Sequence, residues 1–231
     1  MSSNKEKMKK YQEIIDQILR AFGKIPFYVI VESTMKVKVE PFDAKNARDI
    51  ELVKEISDLA DEVAETYYHA NIDEKLYRQI KGHKPTNFRN NEAAVLIEEL
   101  FVPTYKRISN RLNYIKRVKH LGQRGYPDTM IVGKDGRVTY LEIKATTRPD
   151  KGSPRDFYFT PLTMAKAKIK FNAHHFLLGF IMKESSPKIF HTIGWKLVDL
   201  HKIDVHMKPE FNCDNLEIYK KEAIITEHSL R

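Results

Sequence analysis

Near the start of the chain the apolar residues recur at intervals of three and four. Met8, Tyr11, Ile14, Ile15, Ile18, Leu19 and Phe22 would share one side of a helix over residues 5–22, with Gly23 and Pro26 where it should end. Two pieces that read as β follow, 27–31 and 35–39, the second alternating valine with lysine. A long helical pattern returns over 47–68, carried by Ile50, Val53, Ile56, Leu59, Ala60, Val63 and Tyr67. Residues 82–87, Gly-His-Lys-Pro-Thr-Asn, are the best linker candidate.

Beyond that stretch, Asn91 is placed to cap a helix that opens Glu92-Ala93-Ala94-Val95-Leu96 and reaches residue 100 or slightly further. Pro103 should bend or end it, and a basic helical stretch over 105–119 comes next. The pattern then changes period. Residues 129–132 read as a strand, 134–137 as a tight turn and 138–144 as the returning strand. A third strand is expected over 156–160, a helix from Pro161 to residue 172, a buried strand over 176–182 and another over 189–195. This order predicts an α/β (α+β) fold, a mixed central sheet flanked by helices. Residues 1–85 read as an added, mainly helical region and 86–231 as the core with a C-terminal extension.

Of the 231 residues, 42% are hydrophobic, enough to build a core. Lys and Arg number 40 against 31 acidic residues, a formal charge of +9 that favours a polyanionic partner. The single cysteine, Cys213, excludes an intramolecular disulfide and a cysteine-rich zinc site. The first residues lack the apolar stretch of a signal peptide, and the longest apolar run, 176–182, is strand-sized. A cytoplasmic protein without a membrane segment is the expectation.

The hairpin gathers the candidate chemistry. Asp128 follows Gly125, Tyr126 and Pro127 at the mouth of the first strand. On the second, Glu142 and Lys144 share a face while Leu141 and Ile143 point the other way. A turn at Gly136 brings the end of the second strand back beside the start of the first, so two carboxylates and an amine converge. Such a group suits phosphodiester hydrolysis, because paired carboxylates hold hard divalent cations, typically Mg²⁺, and an ammonium offsets charge on the reacting phosphate. An ordinary Glu–Lys pair on a surface hairpin would look the same from these residues alone. The strongly apolar strands and basic surroundings favour the first reading.

Pro127-Asp128 … Glu142-Ile143-Lys144 resembles the motif of the PD-(D/E)xK nuclease superfamily. The run Glu142-Ile143-Lys144-Ala145-Thr146-Thr147 … Arg155-Asp156-Phe157-Tyr158-Phe159-Thr160 … His175-Phe176-Leu177-Leu178-Gly179-Phe180 is similar to the core of several type II restriction endonucleases of that superfamily. The resemblance implies that Asp128 and Glu142 ligate Mg²⁺, with the Ile143 carbonyl as a third ligand, and that Lys144 is the catalytic lysine. It implies no organic cofactor. It also implies a glutamate from a helix preceding the hairpin. Of Glu92, Glu98 and Glu99, Glu92 flanks the apolar stripe of Ala93, Leu96, Ile97 and Leu100 and is the expected choice. A helix N-terminal acid that only complements the dipole is the alternative.

Lys106, Arg107, Arg111, Lys116, Arg117, Lys119 and Arg124 precede the hairpin and are expected to form a phosphate-binding surface. The Pro- and Gly-containing loop after Lys144 carries Arg148, Lys151 and Arg155, placed for groove contact. Lys166, Lys168 and Lys170 read as phosphate contacts or as the wet side of a helix, and His174 and His175 as structural histidines. The expected function is that of a type II restriction endonuclease acting on double-stranded DNA. Because the two strands are antiparallel, a homodimer with two-fold-related clusters is expected, with 1–85 as the dimer contact or a DNA embrace. A repair or Holliday-junction-resolving nuclease of the same superfamily is the first alternative, and a non-catalytic DNA-binding module the second.

Overall fold

The structure, a computed structural model, describes residues 3–20, 23–122, 125–148 and 168–206. The chain divides into two compact units, Met1–Ile25 with Val205–Arg231, and Pro26–Asp204. In the first, helix α1 (Ser3–Arg20) leaves Met8, Tyr11, Ile14 and Ile15 exposed. The short strand β1 (Lys24–Pro26) pairs with the last described strand, Asp204–His206.

The second unit opens with helix α2 (Phe27–Met35) and the two-residue strand β2 (Val39–Glu40). Helices α3 (Ala47–His69), α4 (Glu74–Lys81) and α5 (Asn90–Ile108) follow. Strands β3 (Ile115–His120), β4 (Thr129–Gly133), β5 (Val138–Thr146), β6 (Ala173–Ser186) and β7 (Ile189–Asp199) complete it, and β8 is Asp204–His206. Among the described residues the main sheet has six strands in the order β3-β4-β5-β6, with β2 and β7 both pairing with β6. β5 and β2 run parallel to β6, and the remaining pairs are antiparallel. This is the mixed sheet flanked by helices that the element order predicts.

β5 lies inside the sheet, between β4 and β6, and residues 139–143 are buried on both faces, as expected of a strand with a parallel neighbour. Leu141, Ile143, Phe176, Leu178 and Phe180 share a core with Leu52, Ile56, Leu59 and Val63 of α3 and Leu96, Ile97 and Phe101 of α5. Tyr140 and His175 face the other way and pack near Tyr126 and Phe27. Glu55, on α3, is 3% exposed. Its carboxylate accepts the backbone N–H groups of Asn113, Tyr114 (2.7 Å) and Ile115 (2.7 Å), anchoring the start of the edge strand β3. At the hairpin's turn, Arg137 donates to Asp49 (2.7 Å) and Asp135 (3.0 Å), tying the turn to the start of α3. Burial alone would raise the Asp49 carboxyl, but the Asp43 N–H and Arg137 outweigh it and hold it below the usual range.

Several sequence expectations are corrected. Residues 27–31 are helical, not extended, because Phe27, Val31 and Met35 recur every four residues and bury one helical face, overriding the β-propensity of the run. Of 35–39, only Val39 enters a strand. Helix α5 starts with Arg89 as its N-cap rather than Asn91, and continues through Pro103 to Ile108. Pro103 is exposed, so the carbonyl its missing N–H leaves unpaired belongs to exposed Glu99. The basic stretch expected as a helix over 105–119 is helical only to Ile108, turns over Ser109–Arg111, and becomes strand β3. Its apolar spacing of three, Ile115 to Val118, imitates a helix because a register shift between Ile115 and Arg117 turns both side chains inward. Residues 168–172 are not helical. The strand expected over 156–160 and the rest of the helix from Pro161 lie outside the described residues.

Candidate active site

The antiparallel register pairs Thr129 with Leu141, so one step further along the hairpin Asp128 stands opposite Glu142. Asp128 Oδ2 accepts the N–H of Ile143 at 3.0 Å, which holds the carboxylate beside β5. Lys144, two residues beyond Glu142 and on the same face, places Nζ 2.7 Å from Glu142 Oε1. The three residues of the motif are therefore drawn together by one hairpin.

Glu142 is 3% exposed, and its second oxygen, Oε2, is buried without a hydrogen-bond donor. Burial and then the Asp128 charge push its carboxyl up to about 7, against the pull of Lys144. For Lys144, burial alone would favour loss of the proton, but the charges of Glu142, Asp128 and Glu98 outweigh it and keep the ammonium above its ordinary range. Glu98 is pushed up to about 7 by burial and then by Asp128, with Lys144 opposing. Three carboxylates thus crowd one lysine, an excess of negative charge that a divalent cation would relieve. Among the described residues no three His, Cys, Asp or Glu side chains form a metal cage by themselves. The donor set that fits a hard cation is Asp128, Glu142 with its unpaired Oε2, and backbone oxygen such as that of Ile143.

The structure separates the three glutamates of α5. Glu92 sits at the third position of α5 and its Oε2 accepts the N–H of Arg89 at 2.9 Å, which is capping work. Glu98 is the α5 carboxylate within the field of Asp128, Glu142 and Lys144, and Glu99 pairs with Lys81. Starting the helix at Asn90 would have exposed the capping spacing of Glu92 in the sequence. Sequence reasoning also gave no positional role to Lys168, whose Nζ donates to the carbonyls of Gly125 (2.5 Å) and Pro127 (2.9 Å).

The basic residues divide. Arg107 and Arg111 reach back to Glu62 of α3, at 2.9 and 3.1 Å. Lys116, Arg117 and Lys119 are exposed on β3. Arg117 and Lys119 lie opposite Val132 and Met130, which lie opposite Val138 and Tyr140, so both share the sheet face of Glu142 and Lys144. Arg148 is exposed just past β5. Arg124, Lys151, Arg155 and Lys166 lie outside the described residues. His174 Nδ1 is 2.9 Å from the Glu40 carbonyl and its Nε2 is 3.3 Å from Asp49. His175 Nδ1 is 2.7 Å from the Tyr126 hydroxyl, and burial holds this imidazole neutral, with its pKa lowered to about 3.

Among the described residues no helix is long and apolar enough to cross a membrane. A family model described as the type II restriction enzyme MjaV family matches residues 21–222. The type II restriction enzyme MjaV of Methanocaldococcus jannaschii is 30% identical over 239 residues, spanning 99% of this chain and 99% of that protein. No solved structure gives a significant match.

Proposed function

Since the chain belongs to the type II restriction enzyme MjaV family, we propose that it cleaves double-stranded DNA at a specific site, with Asp128, Glu142 and Lys144 as its reaction centre. The observation that carries this reading is the convergence of the three groups at one end of the hairpin, with a buried Glu142 oxygen lacking any donor. Asp128, Glu142 and the Ile143 carbonyl would hold the metal, and Mg²⁺ is the ion these oxygen donors suit. When bound, such an ion supplies positive charge to the scissile phosphate and acidifies water. Lys144, kept charged by its carboxylate neighbours, orients the attacking water and offsets charge building on the phosphate. Glu98, titrating near neutrality, is suited to take the proton that water gives up. Arg117 and Lys119, on the same sheet face, would guide the DNA backbone, with Lys116 and Arg148 beside them. A homodimer places a second cluster on the second strand, and the exposed apolar residues of α1 support residues 1–85 as its contact or as a DNA embrace.

Digestion of a plasmid of known sequence with Mg²⁺ should give discrete fragments with constant ends. A smear, or cleavage undiminished by excess chelator, would refute site-specific, metal-dependent cutting. A one-protein-per-site complex that accumulates nicked circles before linear product would refute the homodimer.

The helix glutamate is tested by comparison. Glu98→Gln should slow cleavage about 10²-fold, whereas Glu92→Gln should leave the rate within about twofold and lower only stability. Equal effects at the two positions would remove Glu98 from the site.

The raised carboxyls also set a pH dependence. Glu98 and Glu142 bind protons more tightly folded than unfolded, so the metal-free protein should lose stability as pH rises from their ordinary value of 4.5 through about 7. His175, buried neutral with its pKa lowered to about 3, gives the opposite slope below its ordinary 6.5, so the fall is read against a Glu98→Gln/Glu142→Gln double variant that keeps His175. In chelator the wild type should lose melting temperature relative to that variant as pH rises across the window, and excess Mg²⁺ should remove the difference. A constant difference would contradict the crowded-carboxylate description.

A further inference from the structure

The turn that delivers Asp128 is held from two sides by groups outside the trio of Asp128, Glu142 and Lys144, although the Lys168 ammonium also lies within the field of Asp128 and Glu142. On its backbone side, Lys168 Nζ donates to the carbonyls of Gly125 at 2.5 Å and Pro127 at 2.9 Å, the residues flanking Tyr126. On its side-chain side, the Tyr126 hydroxyl meets His175 Nδ1 at 2.7 Å, within the buried cluster of Tyr126, His175, Tyr140 and Phe27. The base from which Lys168 reaches is itself anchored. Ile169 is 2% exposed, and the Lys170 N–H donates to the Tyr140 hydroxyl at 2.8 Å. Tyr140 lies two residues before Glu142 on the same face of β5, so the anchor is built on the strand that carries the second carboxylate.

We propose that Lys168 is a positioning residue: by bridging the carbonyls of Gly125 and Pro127 it fixes the turn that aims Asp128 at Glu142, and it acts on cleavage through Asp128 rather than by contacting DNA. A single ammonium can satisfy two carbonyls that converge on one point, a task a planar guanidinium fits less well. The inference rests on the reading of Asp128 as a metal-holding carboxylate. It adds that the aim of this carboxylate is set from the far arm of the β5–β6 connection, 41 residues downstream of Pro127.

The test uses the full chain with Lys168→Met, Lys168→Arg and Asp128→Asn. In Lys168→Met the Mg²⁺ concentration giving half-maximal cleavage should rise about tenfold, while the rate at saturating Mg²⁺ stays within about threefold, as for loss of a group that orients a metal ligand. In the metal-free protein the Ile143 amide, which donates to Asp128 Oδ2, should exchange with deuterium about tenfold faster than in the wild type. Lys168→Arg should restore part of both. An unchanged Mg²⁺ requirement and unchanged Ile143 exchange, with DNA binding in Ca²⁺ weakened instead, would make Lys168 a phosphate contact and overturn the inference. If Asp128→Asn cleaves like the wild type, the underlying reading fails first. If Asp128→Asn is inactive while Lys168→Met is normal in both measurements, the inference alone fails. Should Lys168→Met melt too low to assay, Lys168→Gln, which keeps one donor for one carbonyl, is judged by the same two measurements.

Discussion

Asp128→Asn, Glu142→Gln and Lys144→Met are each expected to reduce DNA cleavage by at least about 10³-fold while leaving a folded protein. The first two remove oxygen donors from a cluster in which Asp128 is aimed by the Ile143 N–H and Glu142 has an oxygen with no other partner. The third removes the ammonium 2.7 Å from Glu142. Because the groups act as one unit, any double variant should be scarcely slower than the worst single one. Stability should move differently from activity. Glu142→Gln relieves a buried carboxylate held against Asp128, so at pH 8 in chelator it should melt above the wild type. Lys144→Met leaves that crowding uncompensated and should melt below it. Rate measurements over a Mg²⁺ series, paired with melts in chelator, separate the two effects. Turnover near the wild-type level in any one variant would take that residue out of the reaction centre.

The second large effect is on the fold. Glu55→Ala should destabilise the protein by about 3–5 kcal/mol, because two buried backbone N–H groups and one partly exposed one lose a charged acceptor together. For a chain of this size that corresponds to a melting point lower by roughly 10 °C. Glu55→Gln should cost less but not nothing, since the amide presents one acceptor and one donor where the carboxylate presents two acceptors. The consequence reaches the site, because the strand that Glu55 anchors pairs with β4, whose mouth carries Asp128. A melting point within about 2 °C of the wild type in Glu55→Ala would show that water or the backbone replaces the carboxylate.

The trio Asp128, Glu142 and Lys144 was legible in the sequence because a hairpin is a local object. A two-residue period, a glycine turn and a count of residues back from it place opposite side chains without knowledge of the rest of the chain. The long helices were legible for the same reason, and so was the mixed sheet flanked by helices. The errors fell where local pattern and tertiary packing disagree. Phe27 to Val31 has strand propensity but buries a helical face, and the spacing of Ile115 and Val118 reads as a helical turn until the bulge in β3 is seen.

What the sequence alone determined is therefore the convergence of Asp128, Glu142 and Lys144 on the hairpin, its strand directions and the basic surplus of the chain. What only the tertiary structure decided is which distant groups meet that hairpin. Glu98 rather than Glu92 lies in the field of Asp128, Glu142 and Lys144 because the packing of α5 against β5, which the apolar stripe alone does not reveal, decides which acid nears the hairpin, while Glu92 caps the helix. Arg107 and Arg111 pair with Glu62 because α3 packs beside α5, a contact no periodicity announces. Lys168 meets Gly125 and Pro127, and Glu55 meets Tyr114 and Ile115, across more than forty residues of chain. Such pairings follow from the packing of whole elements, and their polar partners become fixed only once burial has removed the water that would otherwise satisfy them.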